Sequence, residues 1–575
     1  MCGIWGHITN EIFSAKESMN YYEAFTNVKA RGPDNSTLLE LNDFMNSFIG
    51  FHRLSIMDTD NKANQPFKFF ETKTKSVYMT CNGEIYNYKK LLKQENFTPE
   101  SKSDCEVIML LYKKYGLEKM LDMIDGEFAI ALIELEKGKS VSVHLCRDHM
   151  GIRPLYYAFD EKTRELLWSS DLKGTTAKSG NVEEAFQIVA NSQHVLPGHR
   201  TSFIWTLEEV TKKISVERSK RQFFEYSNIP FTITDIEEAK QAINKGLKTA
   251  VIDRLMTDRP LGSLLSGGLD SSLVSAIAAK HYNNEGRRLR TFSVGMPGAT
   301  DRKYAEMVAK HIDSDHKHVE FSEKDFLEAI ELTVWTIGSF DITTIRASVG
   351  LVLISKWIRE NTDIKILLTG EGSDELTSGY MYFHNAPNPT ESHAENLRLL
   401  SELYIYDLLR GDRSIASFGL EGRIPFLDRG FMQTYLSISP ELRIPSADKD
   451  FPTKIEKCLL RASFSAEKLL PYEALWRKKE AFSDGVSGEK RSWFEIIQEH
   501  AQKLYSDKDF ESKKKEYTHM TPVNKESLYF REIYEKFYGK NLDNIVPHFW
   551  LPKWSGEVTE PSARILGAYK RNESE

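Results

Sequence analysis

The sequence predicts two folds in tandem: a β-rich first half, and an α/β second half with a parallel sheet and a helical C-terminal part. Three observations carry this. Short apolar runs bounded by Gly, Asn and Asp turns recur through the first 205 residues. From Ile236 onward, strand, loop and helix patterns alternate, as in a parallel sheet covered on both faces. Between them the chain changes character, with Lys-Lys, Arg-Ser-Lys-Arg and Asn228-Ile229-Pro230. The expected division is therefore 2–205, a linker over 206–234, and 235–575.

In the first half, Phe48–Ile56, Ser76–Cys81, Glu127–Leu135 and Ser140–Cys146 read as strands. Asp104–Tyr115 has helical spacing. In the second half, Asp235–Leu255 is an amphipathic helix. Leu261–Leu265 is a buried strand leading to the helix Ser271–Tyr282. Leu289–Gly295 and Lys365–Thr369 are further strands, with a helix over Arg302–Ile312. After Ala394 the chain is mostly helical, and residues 506–516 read as a solvated face or loop.

Bulk properties narrow the function. The 575 residues suit two or three domains. A formal net charge of −7 disfavours a nucleic-acid or anionic-membrane partner. No apolar run approaches the length of a membrane span. The five scattered cysteines suit reduced thiols in the cytoplasm and form no CxxC pair.

The chain opens Met1-Cys2-Gly3-Ile4-Trp5-Gly6, so loss of Met1 exposes a cysteine that carries a nucleophile and a basic α-amine together. Strand Leu261–Leu265 runs into Ser266-Gly267-Gly268-Leu269-Asp270-Ser271-Ser272 and then a helix. Glycines allow close backbone approach, and the helix N-terminus favours phosphate. Asp270 is a candidate Mg²⁺ ligand. The Walker A lysine is absent. The same residues also suit a Gly-Gly turn with a Ser or Asp N-cap. His311, His316 and His318 suit a solvated loop better than a metal cluster.

The Ser-Gly-Gly-Leu-Asp-Ser string resembles the pyrophosphate loop of the N-type ATP pyrophosphatases. Cys2-Gly3-Ile4, Arg31-Gly32-Pro33-Asp34 and Asn82-Gly83-Glu84-Ile85-Tyr86-Asn87 resemble the class II glutamine amidotransferases. In this order the two are similar to glutamine-hydrolysing asparagine synthetases of eukaryotic type. Agreement extends to Phe51-His52-Arg53-Leu54, Asp341–Ser348, Gly370–Leu376, Arg423–Asp428 and Trp476–Glu480, covering nearly the whole chain.

That resemblance implies an α+β N-terminal-nucleophile glutaminase with stacked antiparallel sheets, ahead of an ATP-cleaving α/β domain. It implies that Cys2 attacks the glutamine amide, with Asn82 and the Gly83 N–H as the oxyanion hole. Arg53 would hold the α-carboxylate and Asp104 the α-ammonium, with Leu54, Ser55, Ile56, Met57 and Glu84 around the substrate. ATP would meet Leu264, Ser266, Gly267, Gly268, Leu269, Asp270, Ser271, Val294, Thr369 and Gly370, with Mg²⁺ on Asp270 and Asp374. Glu371, Lys479 and Arg346 would act on the β-aspartyl-AMP step. Glutamine, aspartate and ATP are the implied small-molecule partners, together with internal passage of ammonia; a homodimer stays open. Other class II amidotransferases lack the Ser-Gly-Gly loop. A β-lactam synthetase-like relative lacks the N-terminal nucleophile. A silent binding protein does not need the full set.

Overall fold

The computed structural model describes residues 1–10, 15–175, 192–448, 451–488 and 491–556. Its first half stacks two antiparallel sheets. One runs Gln193–His194, Tyr156–Phe159, Leu166–Ser169, Gly3–Thr9, Asn46–Arg53, Asn35–Asn42. The other runs Ile214–Gln222, His199–Leu207, Ser140–Arg147, Gly126–Glu136, Lys75–Ile85, Phe67–Phe70. Alternate residues of each fill the space between them, including Ile4, Ile8, Ile49 and Phe51 against Ala131, Ile133, Val143 and Trp205. The helix Glu106–Met123 covers the outer face of the second sheet through Val107, Ile108 and Leu111.

This corrects the linker. Residues 214–222 are an edge strand, paired antiparallel with His199–Leu207. Its outward residues are charged, which protects an exposed edge and hid the strand from a hydrophobic reading. The connection proper begins after Gln222.

The second half holds a five-stranded parallel sheet ordered Asp315–Glu320, Arg290–Gly295, Leu261–Leu264, Ile366–Leu368, Glu421–Arg423. In chain order this is 3-2-1-4-5, so the order of strand addition reverses between Leu261–Leu264 and Ile366–Leu368. Ligands of open α/β sheets bind beyond the carboxyl ends of the strands at such a point. Two strands of this sheet, Asp315–Glu320 and Glu421–Arg423, escaped the sequence reading. Asp315–Glu320 carries His316 and His318, which face Thr291 and Ser293 at 2.8–3.0 Å instead of lying in a solvated loop. Residues 507–513 form an exposed helix with a Ser506 capping box.

The halves are fused through shared cores. Leu54, Ile56, Met150 and Ile152 pack with Ile243, Leu247 and Phe426. Between them lies a buried ionic seam: Glu127 takes Arg153 at 2.9 Å and Arg254 at 2.7 Å, while Arg31 takes Asp412 at 2.8 Å. Among the described residues no single helix is long and apolar enough to cross a membrane.

Candidate active sites

Cys2 lies at the start of the strand Gly3–Thr9, between Asn82 and Leu54. Its backbone N–H donates to Asn82 Oδ1 at 2.9 Å, and the Leu54 N–H approaches its Sγ at 3.4 Å. Arg31 Nε donates to the Cys2 carbonyl at 3.1 Å. The Cys2 backbone occupies Oδ1, which leaves Asn82 Nδ2 as the other end of the amide. It is buried and has no protein acceptor. A buried amide donor left unpaired costs about 1–3 kcal/mol, so its retention beside a thiol points to an acceptor that forms during reaction.

Gly83 follows in a conformation with φ +151°, where a Cβ would lie 2.0 Å from the Glu127 carbonyl oxygen. Burial pushes the Cys2 thiol up to about 11, only partly offset by the neighbouring α-amine. Met1 is itself buried, its amine 3.2 Å from the Leu420 carbonyl.

The predicted glutamine residues converge here. Arg53 is buried and donates to the Asp60 carbonyl (2.8 Å), Asn64 Oδ1 (2.7 Å) and the carbonyls of Met57 and Asp58. Through these contacts the guanidinium braces the 54–60 loop. Ser55 N–H donates to Asp34, and the Ile56 carbonyl accepts from Asp258, tying this loop to the second half. Asp104 accepts from the Ile85 N–H at 2.6 Å, and burial raises its carboxyl to about 6. Burial also holds Glu84 well above the usual carboxylate range, with Asp104 and Glu421 adding to it.

The second site is a cleft at the carboxyl ends of the parallel strands. Leu264, Ser266, Gly268, Leu269, Asp270, Ser271, Val294, Thr369, Gly370, Glu371, Asp374 and Lys479 all line it. Gly267 departs from expectation. At φ +83°, a Cβ there would lie 2.4 Å from the Ala305 nitrogen, so Gly267 admits the helix Thr300–His311, while Gly268 faces the cleft. The Ser266 and Ser271 hydroxyls are 3.0 Å apart. Phe292, Leu351 and Ile354 give one apolar wall.

Glu371 faces Arg410, whose fork donates at 3.1 and 3.0 Å. Burial lifts its carboxyl to about 7, aided by Asp407 and Asp374 and opposed by Arg410 and Lys479. Burial opposes ionisation of Asp374 too, but Lys457 and Lys479 at 2.6 Å reverse the balance and hold it well below the usual range. Lys457 also spans both oxygens of Asp270 at 2.7 Å.

Lys457, Arg410 and Asp407 were missed by sequence reading. They reach the cleft from segments remote in sequence, and no local pattern marks them.

Arg346 is a correction. It does not line the cleft. It is buried on the helix Ile342–Asn361 and grips Glu526 at 2.7 and 2.5 Å. There it clamps that helix to Lys525–Tyr538. Arg346→Ala leaves Glu526 buried without this partner and is expected to cost about 3–5 kcal/mol, read as a lower urea midpoint.

The chain matches a glutamine amidotransferase domain family over residues 1–204, and an asparagine synthase family over 242–402 and 385–560. It is 40% identical to the chicken (Gallus gallus) asparagine synthetase [glutamine-hydrolyzing] over 584 aligned positions, covering 99% of each chain. The human (Homo sapiens) and mouse (Mus musculus) proteins of that name are 39% and 38% identical, again over 99% of each chain. With both halves matched in order at that identity and coverage, the chain belongs to the glutamine-hydrolysing asparagine synthetase family.

Proposed function

We propose that the chain converts L-aspartate, L-glutamine and ATP into L-asparagine, glutamate, AMP and pyrophosphate. The observation that carries this is two built sites in one chain: a thiol beside an unpaired buried amide donor, and a Ser-Gly-Gly loop at the reversal point of a parallel sheet. The family supports both steps. Product analysis tests it. Labelled ATP should yield AMP and pyrophosphate in step with asparagine, and ADP would overturn it.

In the first site, removal of Met1 frees the Cys2 α-amine as base. The thiol gives up its proton, attacks the glutamine amide carbon and expels ammonia, leaving a thioester that water opens. Asn82 Nδ2 and the Gly83 N–H receive the oxyanion. Arg53 holds the α-carboxylate and Asp104 the α-ammonium, with Leu54, Ser55, Ile56, Met57 and Glu84 framing the side chain.

In the second site, a carboxylate is a poor electrophile until its oxygen is joined to a good leaving group. The loop Ser266–Ser271 cradles the phosphates, Lys479 offsets their charge, and Leu264, Val294, Thr369 and Gly370 frame the nucleoside. The aspartate side-chain carboxylate attacks the α-phosphorus and pyrophosphate leaves; ammonia then attacks the resulting acyl carbon, gives up a proton and expels AMP. Mg²⁺ fits Asp270 and Asp374. Both carboxylates reach one cationic point, Lys457 Nζ, at 2.7 and 2.6 Å beside the phosphate loop. Few hard oxygen donors, with positions left for phosphate, suit this ion. Asp270 and Asp374 would hold the ion, which would supply positive charge against the phosphates.

Glu371 is the base for the attacking ammonia. Its carboxyl sits near 7, so it is protonated and idle below that pH and ionised above. The ammonia-dependent rate, plotted against free ammonia, is expected to rise as pH passes about 7 and then level. A flat profile would remove Glu371 from this role.

Both sites are built from one chain, so a homodimer is not required by the chemistry. The five scattered cysteines, with no CxxC pair, support a reducing, cytoplasmic setting.

A further inference from the structure

We propose that Lys457 is a built-in counter-cation that makes divalent-metal binding at Asp270 and Asp374 conditional on the nucleotide. This rests on the reading of those carboxylates as metal ligands. Lys457 is only 2% exposed, and its ammonium lies 2.7 Å from both Asp270 oxygens and 2.6 Å from Asp374 Oδ1. The placement is built in. Lys457 precedes the helix Cys458–Ser465 in a left-handed conformation, φ +55°, unusual for a residue with a side chain. Its carbonyl accepts the Arg461 N–H at 3.0 Å. Opposite, a Cβ at Gly379 would lie 2.0 Å from Lys457 Cε and 2.1 Å from Asp374 Oδ1, so the glycine leaves room for the pair.

The charges form a row: Asp270, Lys457, Asp374, Lys479. Lys479 takes the second Asp374 oxygen at 2.6 Å, and Ser373 takes Asp270 at 2.7 Å. Of the neighbouring charges, Arg410 is shared by Glu371 and Asp407, and Arg477 by Asp301 and Glu480. The row is formally neutral. A bare divalent ion must displace an ammonium that already bonds both Asp270 oxygens and lies 2.6 Å from Asp374 Oδ1. A nucleotide adds negative phosphate oxygens, to which Lys457 can turn while the metal takes the carboxylates. Metal is thus admitted with the nucleotide and not ahead of it. Because two cations compete for one pair of carboxylates, removing the ammonium strengthens metal binding even as it weakens nucleotide binding. A merely structural lysine would not produce opposite signs.

The test titrates the full-length protein with Mn²⁺ alone, reading free Mn²⁺ by electron paramagnetic resonance. Lys457→Met should bind Mn²⁺ at least about tenfold tighter than wild type, since the row gains a net negative charge. Lys457→Arg, which keeps the charge, should match wild type. Glutamine hydrolysis reports folding, and Lys457→Gln replaces Lys457→Met if the latter fails to fold. A folded neutral variant that binds Mn²⁺ no tighter overturns the inference. The metal reading is tested separately by joint Asp270→Asn and Asp374→Asn substitution with Mn²⁺ and α,β-methylene-ATP. Loss of binding there supports the two carboxylates as ligands, and unchanged binding overturns that reading and this inference with it.

Discussion

Cys2→Ala is expected to abolish glutamine-dependent asparagine synthesis while ammonium-dependent synthesis continues near the wild-type rate. The thiol is the only reacting atom that side chain contributes, and losing a covalent nucleophile typically costs at least about 10³-fold. The second site draws nothing from it: its cleft is lined entirely by residues from Leu264 onward. The substitution is also mild structurally, since the Cys2 contacts with Asn82 Oδ1 and Arg31 Nε run through its backbone. The measurement is asparagine formed with glutamine and then with ammonium as nitrogen donor. Loss of both would make Cys2 structural; loss of neither would make it a bystander. A chain that keeps Met1 should behave the same way, because the amine is then 3.2 Å from the Leu420 carbonyl and no longer belongs to Cys2.

Glu371→Gln is expected to give the mirror image. Synthesis should fall about 10²–10⁴-fold with either nitrogen donor, the range for removing a positioned base, while glutamine hydrolysis at Cys2 persists. The amide keeps the shape and can still accept from Arg410, but it cannot take a proton from ammonia. It also leaves the Arg410 fork without its charged partner at 3.0 Å. Asp407, which pairs with Arg410 at 2.6 Å, should keep the arginine in place and the cleft folded. Pyrophosphate exchange in the absence of ammonia separates the two duties of Glu371. Exchange that survives assigns it to the ammonia step alone. Exchange lost in parallel ties it to adenylate formation as well.

The local motifs were legible because their chemistry is local. A nucleophile with its own amine needs only position 2. A phosphate loop needs a strand, two glycines and a helix in immediate succession, and all are adjacent in sequence. Strand Glu421–Arg423 was not legible: it is three residues long, and Glu421 and Arg423 are buried as an ion pair at 2.8 Å. Strand Ile214–Gln222 was lost for the opposite reason, being exposed and charged on an edge. That Arg346 turns to Glu526 and not to the cleft was not legible either, because a motif match fixes a position in the chain and not the direction of a side chain.

By itself the sequence determined the two chemistries, their order and most of the residues that carry them, because each is encoded in a short contiguous string. Only the tertiary structure decided which charges meet. Lys457 reaches Asp270 across 187 positions, and Arg31 reaches Asp412 across 381. Such pairs leave no periodicity to read. They exist because burial removes water as the competing partner, so each buried charge must find its counter-charge wherever the packed fold brings one.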